Sequence, residues 1–443
     1  MKKVVKFGGS SLADAAQFRK VGDIIRADET RVYVVPSAPG KRFDGDVKVT
    51  DLLYRCHDLA AGGRDFSEPF AAVKERYADI VRELELSPDF MKSLEDEFQT
   101  IEEHLKQGPE RDYTASRGEY LNGRILAGYL GFPFLDAAEG IFFDTAGTFD
   151  AERTNAVLSA RLEEMPRAVI PGFYGSGPDG RVRTFSRGGS DVTGSIVASA
   201  CHASVYENWT DVPGLLMADP HIVKDPPVIR SITYRELREL AYMGASVLHE
   251  DAVFPVKKAG IPINIRDTNQ PGDPGTWIVE NTARRPPFTI TGITGKKDFC
   301  SIMIAKDLMH SELDFYRKVV QCFEEDGVPL EHLPSGIDTM TVVVPESKFV
   351  EREQHVLRRI ARSVGPESVE VEAGLALIAV VGRGMRAQSG TAAKIFSALA
   401  EARINVRMID QGASELNVIV GVLNEDFERA ISAIYHAFVG RGY

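Results

Sequence analysis

Six residues near the N-terminus, Lys6-Phe7-Gly8-Gly9-Ser10-Ser11, have the types and the order needed to hold a phosphate group. They follow the apolar pair Val4-Val5, so a short buried strand is expected to run into a glycine turn, with a helix starting near Ser11. Glycines let backbone N–H groups approach an anion, a helix N-terminus adds a favourable dipole, and Lys6 adds a point charge. The same corner can also be only a tight turn. Lys6, Gly8, Gly9 and Ser10 therefore take their meaning from what accompanies them.

Four further clusters bear on chemistry. In Ser186-Arg187-Gly188-Gly189-Ser190-Asp191, two glycines, a fixed cation, a hydroxyl and a carboxylate precede a helix expected over Val192–Ala200. Arg187 can fork onto a carboxylate, and Asp191 can orient a lysine. Ser116-Arg117-Gly118-Glu119 precedes an apolar helix expected from Tyr120 to Leu130. That places Glu119 in a first helical turn, where it either complements the helix dipole or binds an ammonium group. Trp209-Thr210-Asp211-Val212-Pro213-Gly214 ends a buried strand and is suited either to a base and ribose or to a capped Pro-Gly turn. Thr50-Asp51 opens another expected helix, and its hydroxyl alone reads as an N-cap. Walker A, G-x-G-x-x-G and the protein-kinase motif set are all missing, as is any Asp/Glu/His cluster suited to a permanent metal. Any Mg²⁺ is expected to arrive on nucleotide phosphates.

The elements that must position these residues follow from hydrophobic periodicity. Over the first 270 or so residues, strand-like runs such as Val4–Phe7, Val32–Val35, Ala168–Pro171, Val205–Trp209 and Pro262–Ile265 alternate with amphipathic stretches. A βα alternation predicts an α/β region with a mostly parallel sheet sandwiched by helices, and ligands beyond the carboxyl ends of its strands. A Pro/Gly-rich segment from Asn269 to Gly275, then Arg284–Pro287, marks a boundary. Beyond it the pattern repeats weakly as two βαββαβ units of roughly 70 residues, read either as a regulatory pair or as an α+β dimerisation domain. The expected division is 1–285, 286–365 and 366–443, with interleaving of the two small modules left open. The 443 residues carry a net charge of −12 and no basic block, which argues against nucleic acid as a partner. No run is apolar enough for a membrane span, and the four dispersed cysteines fit a reduced, cytoplasmic setting.

Taken together, these motifs resemble the aspartokinase family of the amino-acid kinase fold, with tandem ACT-like modules at the C-terminus. The resemblance rests on KFGGSS at 6–11, SRGE at 116–119, Gly172-Phe173, RGGSD at 187–191, WTDVPG at 209–214, and Gly384-Met385 through Ile404-Asn405-Val406 to Gln411–Glu415. It implies transfer of the ATP γ-phosphoryl group to the side-chain carboxylate of L-aspartate. By the same resemblance, Lys6 bridges the phosphates, Asp191 positions Lys6, and Gly8, Gly9 and Ser10 cradle phosphate. Arg187 takes the substrate α-carboxylate and Glu119 its ammonium. Thr50, Phe173 and Ser190 line the aspartate pocket, and Ser37, Thr210 and Asp211 face the nucleotide.

The chain departs from the family pattern in three places. The family usually has Gly-Ala-Lys where this sequence reads Gly244-Ala245-Ser246, and Asp-Pro-Arg where it reads Asp219-Pro220-His221. The loop after Ser37 is longer and carries Lys41, Arg42 and Lys48, any of which is a candidate for the missing charge. The tandem modules imply feedback by an end-product amino acid and assembly as a homodimer or homotetramer. By position, Ser311, Asp314, Glu331 and Ser335 would hold the effector, and the two carboxylates favour lysine over threonine. A kinase for another acidic amino acid, and an amino-acid sensor with a degenerate kinase domain, are the alternatives.

Overall fold

Strand Lys3–Phe7 reads KVVKF and is buried on both faces, with Val4, Val5 and Phe7 fully covered and even Lys6 only 7% exposed. A strand buried in this way needs strands on both edges and helices on both faces. The computed structural model supplies them; it describes all residues except 187, 246, 247, 249, 283–286 and 441–443. The chain forms two compact units, one of Met1–Leu215, Val228–Tyr234 and Ser246–Thr282, the other of Leu216–Pro227, Arg235–Ala245 and Ala283–Tyr443. The single cut expected after residue 285 is thus a chain that changes unit several times.

In the first unit a seven-stranded sheet runs in the order Ala168–Val169, Arg31–Pro36, Lys3–Phe7, Val205–Thr210, Ile263–Asp267, Thr276–Val279, Ser231–Thr233. Every neighbouring pair is parallel except Ile263–Asp267 with Thr276–Val279. Strand periodicity sorts the side chains. Val5, Phe7 and Trp209 enter a large core with Phe18, Ile25, Leu53, Tyr77 and Leu121. Lys6, Tyr206 and Asn208 lie on the other face, against helix Gly189–Ala200. That helix packs close because Gly194 has no side chain; a Cβ there would stand 2.5 Å from the Tyr206 hydroxyl.

Two local expectations change. The first turn after the glycines is a short 3₁₀ turn, Ser10–Leu12, and the α-helix begins at Ala15 with Asp14 capping Gln17. The helix carrying Glu119 begins at Arg111 rather than near Tyr120, so Glu119 stands in its third turn. Nearby, on the core side of the sheet, Glu207 is 2% exposed and accepts from Arg31 Nε at 2.8 Å and Trp209 Nε1 at 2.9 Å, with Lys3 Nζ at 3.3 Å.

The second unit is one antiparallel sheet ordered Thr339–Pro345, Gly292–Ala305, Ser368–Val381, Asn417–Leu423, Met408–Asp410. The 14-residue strands Gly292–Ala305 and Ser368–Val381 pair along their whole length, with an irregularity around Lys296–Ser301. The outer half of the sheet covers helices Phe315–Glu325 and Glu353–Val364 through Ile302, Ile304, Phe315, Phe323, Val356 and Ile360. Each repeat uses part of both long strands. The strand expected at Val328–His332 is a single bridge from His332 to Val343, and that expected at Ile404–Ile409 shortens to Met408–Asp410. Within this unit, fully buried Glu236 accepts from Thr291 Oγ1 at 2.5 Å and from the Arg383 backbone and guanidinium at 2.9 and 2.7 Å.

Removing one member of a buried charge pair leaves its partner uncompensated, at a cost of about 3–5 kcal/mol. Glu207→Ala is expected to destabilise the first unit by that amount, measured as a lower denaturation midpoint; a loss under about 1 kcal/mol would show that Arg31 rehydrates freely.

Candidate functional site

Parallel register brings Lys6 beside Asn208 on the neighbouring strand. Helix Gly189–Ala200 then places Asp191 in its first turn, with Asp191 Oδ1 at 2.6 Å from Lys6 Nζ and at 2.8 Å from Asn208 Nδ2. The ammonium is thus fixed by a carboxylate that is itself oriented by an amide. Asn208 was not singled out from the sequence; its position opposite Lys6 in a parallel pair is the signal that would have found it.

The glycine corner fits because two loops touch without side chains. A Cβ on Gly9 would lie 2.8 Å from the Ala38 carbonyl, and one on Gly40 would lie 2.7 Å from both Gly9 C and Ser10 N. Gly40 N–H donates to Gly9 at 2.8 Å. Gly9 has φ −62°, so space rather than backbone freedom demands glycine there. Gly8 spends its N–H on the Trp209 carbonyl at 2.9 Å, so it shapes the corner rather than offering a donor. A Cβ on Gly8 would stand 3.6 Å from Lys6 Nζ, which places the ammonium beside the corner. Beyond the strand ends lies a cleft of about 570 Å³. Of the predicted residues, Gly9, Ser10, Ser37, Thr50, Glu119 and Asp211 line it.

Glu119 is 5% exposed. One carboxylate oxygen has no hydrogen-bond partner, although it is buried and its residue borders the cleft. Burial pushes its pKa up to about 8, with a hydrogen bond from the Ala38 backbone working in the opposite direction. Three residues on, buried Asn122 donates to the Ser37 carbonyl at 2.6 Å and fixes the same wall.

Phe173 and Ser190 are each pressed against a glycine, Phe173 against Gly189 and Ser190 against Gly172. A Cβ on Gly172 would lie 2.6 Å from Ser190, and one on Gly189 would lie 2.6 Å from the Phe173 ring. Phe173 holds φ +80°, a costly region for a side chain of its size, through bonds from its N–H to Thr193 Oγ1 and to its carbonyl from Phe185. Thr210 donates to Asp211 at 3.2 Å. Arg187 and Ser246 lie outside the described residues. Among the described residues no group of three or more His, Cys, Asp or Glu is placed to hold a metal.

The predicted effector residues lie in the second unit. Asp314 precedes helix Phe315–Glu325 and pairs with Lys318 at 2.8 Å. Glu331 accepts from the Tyr242 hydroxyl at 2.6 Å. Ser335 donates to the Leu333 carbonyl at 3.2 Å, and the Ser311 N–H to the Leu308 carbonyl at 2.9 Å. Tyr242 was not foreseen as a partner.

The model of the amino acid kinase family matches residues 1–267, and that of the ACT domain matches residues 378–438. Aspartokinase 3 of Bacillus subtilis is 41% identical, over 98% of each chain. A crystal structure of Clostridium acetobutylicum aspartate kinase, described as an allosteric enzyme, is 50% identical, covers 99% of this chain and 100% of its own, and superposes with a TM-score of 0.88. E. coli aspartokinase III, 25% identical, covers 99% of both chains with a TM-score of 0.76 in complex with aspartate and ADP (R-state). In complex with lysine and aspartate (T-state) it covers 98% of both chains with a TM-score of 0.72. The fold and the glycine corner are those of an α/β phosphotransferase. The chain belongs to the amino acid kinase family and, within it, to the aspartokinases.

Glu119 makes stability depend on pH in the ligand-free protein. Between the ordinary carboxyl value of 4.5 and about 8, the folded state keeps a proton that the unfolded state has lost. Stability therefore falls as pH rises through that window. The stability difference between wild type and Glu119→Gln is expected to shift against the wild type from pH 5 to pH 8, by denaturant unfolding at each pH; a difference that does not change with pH would place the ionised form in the free cleft.

Proposed function

We propose that this enzyme transfers the γ-phosphoryl group of ATP to the side-chain carboxylate of L-aspartate, giving 4-phospho-L-aspartate, the entry to lysine, threonine and methionine synthesis. The observation that carries this reading is Glu119. A buried carboxylate with an unpartnered oxygen, in a cleft that also holds the glycine corner, is a receptor for an ammonium group beside a phosphate. The relative crystallised with aspartate and ADP, E. coli aspartokinase III, supports the same pairing of ligands.

The acceptor carboxylate is ionised at neutral pH, so attack on phosphorus needs no general base. The work of the site is positioning and cationic stabilisation. Lys6, fixed by Asp191 and Asn208, meets the charge that develops on the transferring group. The backbone at Gly9 and Ser10 faces the phosphates, with Gly8 shaping the turn. Arg187 takes the α-carboxylate, Thr50, Phe173 and Ser190 enclose the aspartate, and Ser37, Thr210 and Asp211 meet the nucleotide. Mg²⁺ borne on the nucleotide would offset the charge of the phosphates, and Asp211, which lines the cleft, would be a carboxylate to hold it. The chain works in the cytoplasm as a homodimer or homotetramer assembled through its two ACT-like modules, which are interleaved through the strands Gly292–Ala305 and Ser368–Val381. The absence of disulfides supports that setting: all four cysteines are free. Among the described residues, no helix is long and apolar enough to cross a membrane.

Lysine is the feedback effector in this reading, supported by the relative crystallised with lysine. An effector ammonium at Glu331 must displace the Tyr242 hydroxyl, and Asp314 must give up Lys318. Binding of lysine and aspartate is reciprocally coupled if lysine favours a state with weaker aspartate binding.

Aspartate- and ATP-dependent hydroxamate formation tests the activity. Lys6→Ala should lower kcat by roughly 100-fold or more, the scale for losing a preorganised transition-state partner. Near-normal turnover in that variant would overturn the role of the corner. Aspartate KM should fall as pH rises to about 8, since the ammonium needs ionised Glu119; Glu119→Gln should raise KM about 10- to 100-fold and flatten that dependence. For regulation, Glu331→Gln should raise the lysine concentration giving half-inhibition about tenfold while leaving the uninhibited rate unchanged. An unchanged lysine response would move the effector elsewhere.

A further inference from the structure

The loop from Gly40 to Lys48 forms one wall of the cleft, and its charges are not equivalent. Six charged side chains border the cleft: Lys41, Arg42 and Lys48 against Asp44, Glu119 and Asp211. Arg42 is committed, since its guanidinium grips Asp46 through Nε at 2.9 Å and a terminal nitrogen at 3.1 Å. Lys6 is committed to Asp191. Among the described residues, Lys41 and Lys48 have no ion-pair partner, and both are exposed at the cleft edge. Of the described cations that border the cleft, these two are without an ion-pair partner and can meet an incoming polyanion together with Lys6.

The loop is not a loose flap. Val49 N–H donates to the Pro39 carbonyl at 3.3 Å, which closes the neck and brings the segments bearing Lys41 and Lys48 together. Arg76, 5% exposed on helix Ser67–Glu83, fastens that neck from beneath. It donates to the Gly40 carbonyl at 3.1 Å on one side and to the Val47 carbonyl at 3.4 Å on the other, and it pairs with Asp46 at 2.8 Å. Asp46 is held far below the usual carboxylate range, first by Arg42 and further by Arg76. The anchored end of this loop, Gly40, is the residue pressed against Gly9 and Ser10. The lysines therefore keep a fixed relation to the phosphate corner on one side and to Thr50, two residues after Lys48, on the other.

We propose that Lys41 and Lys48 touch the nucleotide phosphates and the transferring phosphoryl group, and that Arg76 is the positioning residue that holds them there. The inference rests on the aspartate kinase reading and adds to it the source of charge at the reacting centre. In the step, a carboxylate oxygen of aspartate forms a bond to the γ-phosphorus while the bond from that phosphorus to the β–γ bridging oxygen breaks. The electron pair leaves on ADP, no proton moves, and both lysines stay protonated. Their charge offsets what develops on the equatorial and leaving oxygens.

The experiment compares wild type with Lys41→Ala, Lys48→Ala, the double variant and Arg76→Met, each also combined. kcat, KM for ATP and KM for aspartate are measured alongside thermal unfolding. Each single lysine variant should lose about 10- to 100-fold in kcat/KM for ATP, with an unfolding temperature equal to wild type because both side chains are exposed. Arginine at either position should restore most of the activity. Arg76→Met should lower kcat/KM for ATP strongly in the wild type and little in the double lysine variant, because it acts through those lysines. A double lysine variant within twofold of wild type would overturn the proposal while leaving the aspartate kinase reading intact. Equal losses from Arg76→Met in both backgrounds would overturn its positioning role. Wild-type enzyme without aspartate-dependent ATP turnover would instead overturn the underlying reading.

Discussion

The site depends on one arrangement, a lysine ammonium held near the carboxyl end of strand Lys3–Phe7 by a helix-borne carboxylate. A cation at that depth is tolerable only with its partner in place, because an unpaired buried charge costs several kcal/mol. Lys6 is therefore tied to Asp191, and Asp191 to Asn208, across a strand–strand–helix junction. Three elements distant in sequence converge on one oxygen atom. The parallel register that pairs Lys6 with Asn208 therefore constrains the candidate site as well as the fold. A slip of one residue would turn Lys6 into the apolar core shared by Val5 and Phe7.

Around that pair the backbone is drawn close by missing side chains. Gly9 against Gly40, Gly172 against Ser190 and Gly189 against Phe173 are three contacts in which a methyl group would have no room. They lock the phosphate corner to the loop at 37–40, and the segment at 172–173 to the start of the helix that carries Asp191. Phe173 stores backbone strain at +80°, of roughly 1–3 kcal/mol, which the surrounding bonds to Thr193 and Phe185 sustain. Rigidity of this kind suits a reaction in which positioning replaces covalent catalysis.

Much of this was legible in the sequence because its motifs sit where apolar runs end, and a βα alternation says which end of a sheet that is. What was not legible has specific causes. The helix bearing Glu119 starts nine residues earlier than Tyr120 because its first turns bury polar groups rather than an apolar stripe. Asp112 bonds Thr184, and Arg117 lies among the rings of Tyr113, Tyr120 and Tyr174. A helix of that kind carries no periodic signal. Arg76 was hidden for the opposite reason: it sits on a charged amphipathic helix and looks like one more solvated residue, yet it is buried under a loop. The repeat in the second half was readable as two copies, but Lys296-Lys297-Asp298 interrupts an otherwise apolar pattern in a strand that runs through both copies.

On the proposed reading, in which Glu119 receives the substrate ammonium, the electrostatics of the cleft also explain how the site would select an amino acid. Among the described residues no cation pairs with Glu119, and burial pushes its pKa up to about 8, so it is largely protonated at neutral pH. Ionising a group of pKa about 8 at pH 7 costs about 1.4 kcal/mol. A charge-assisted hydrogen bond to a substrate ammonium returns about 1.5–3 kcal/mol. The balance favours ionisation only when the ammonium is present. A dicarboxylate lacking the amino group would leave Glu119 neutral and its free oxygen still without a partner. Discrimination against such a molecule then comes from the unfilled bond as much as from the missing attraction, and it requires no clash built into the wall. A fixed lysine close to Glu119 would hold the carboxylate ionised at all times and remove its preference for an incoming ammonium. The lysines of the 40–48 loop instead stand exposed at the cleft edge, whereas Glu119 is buried.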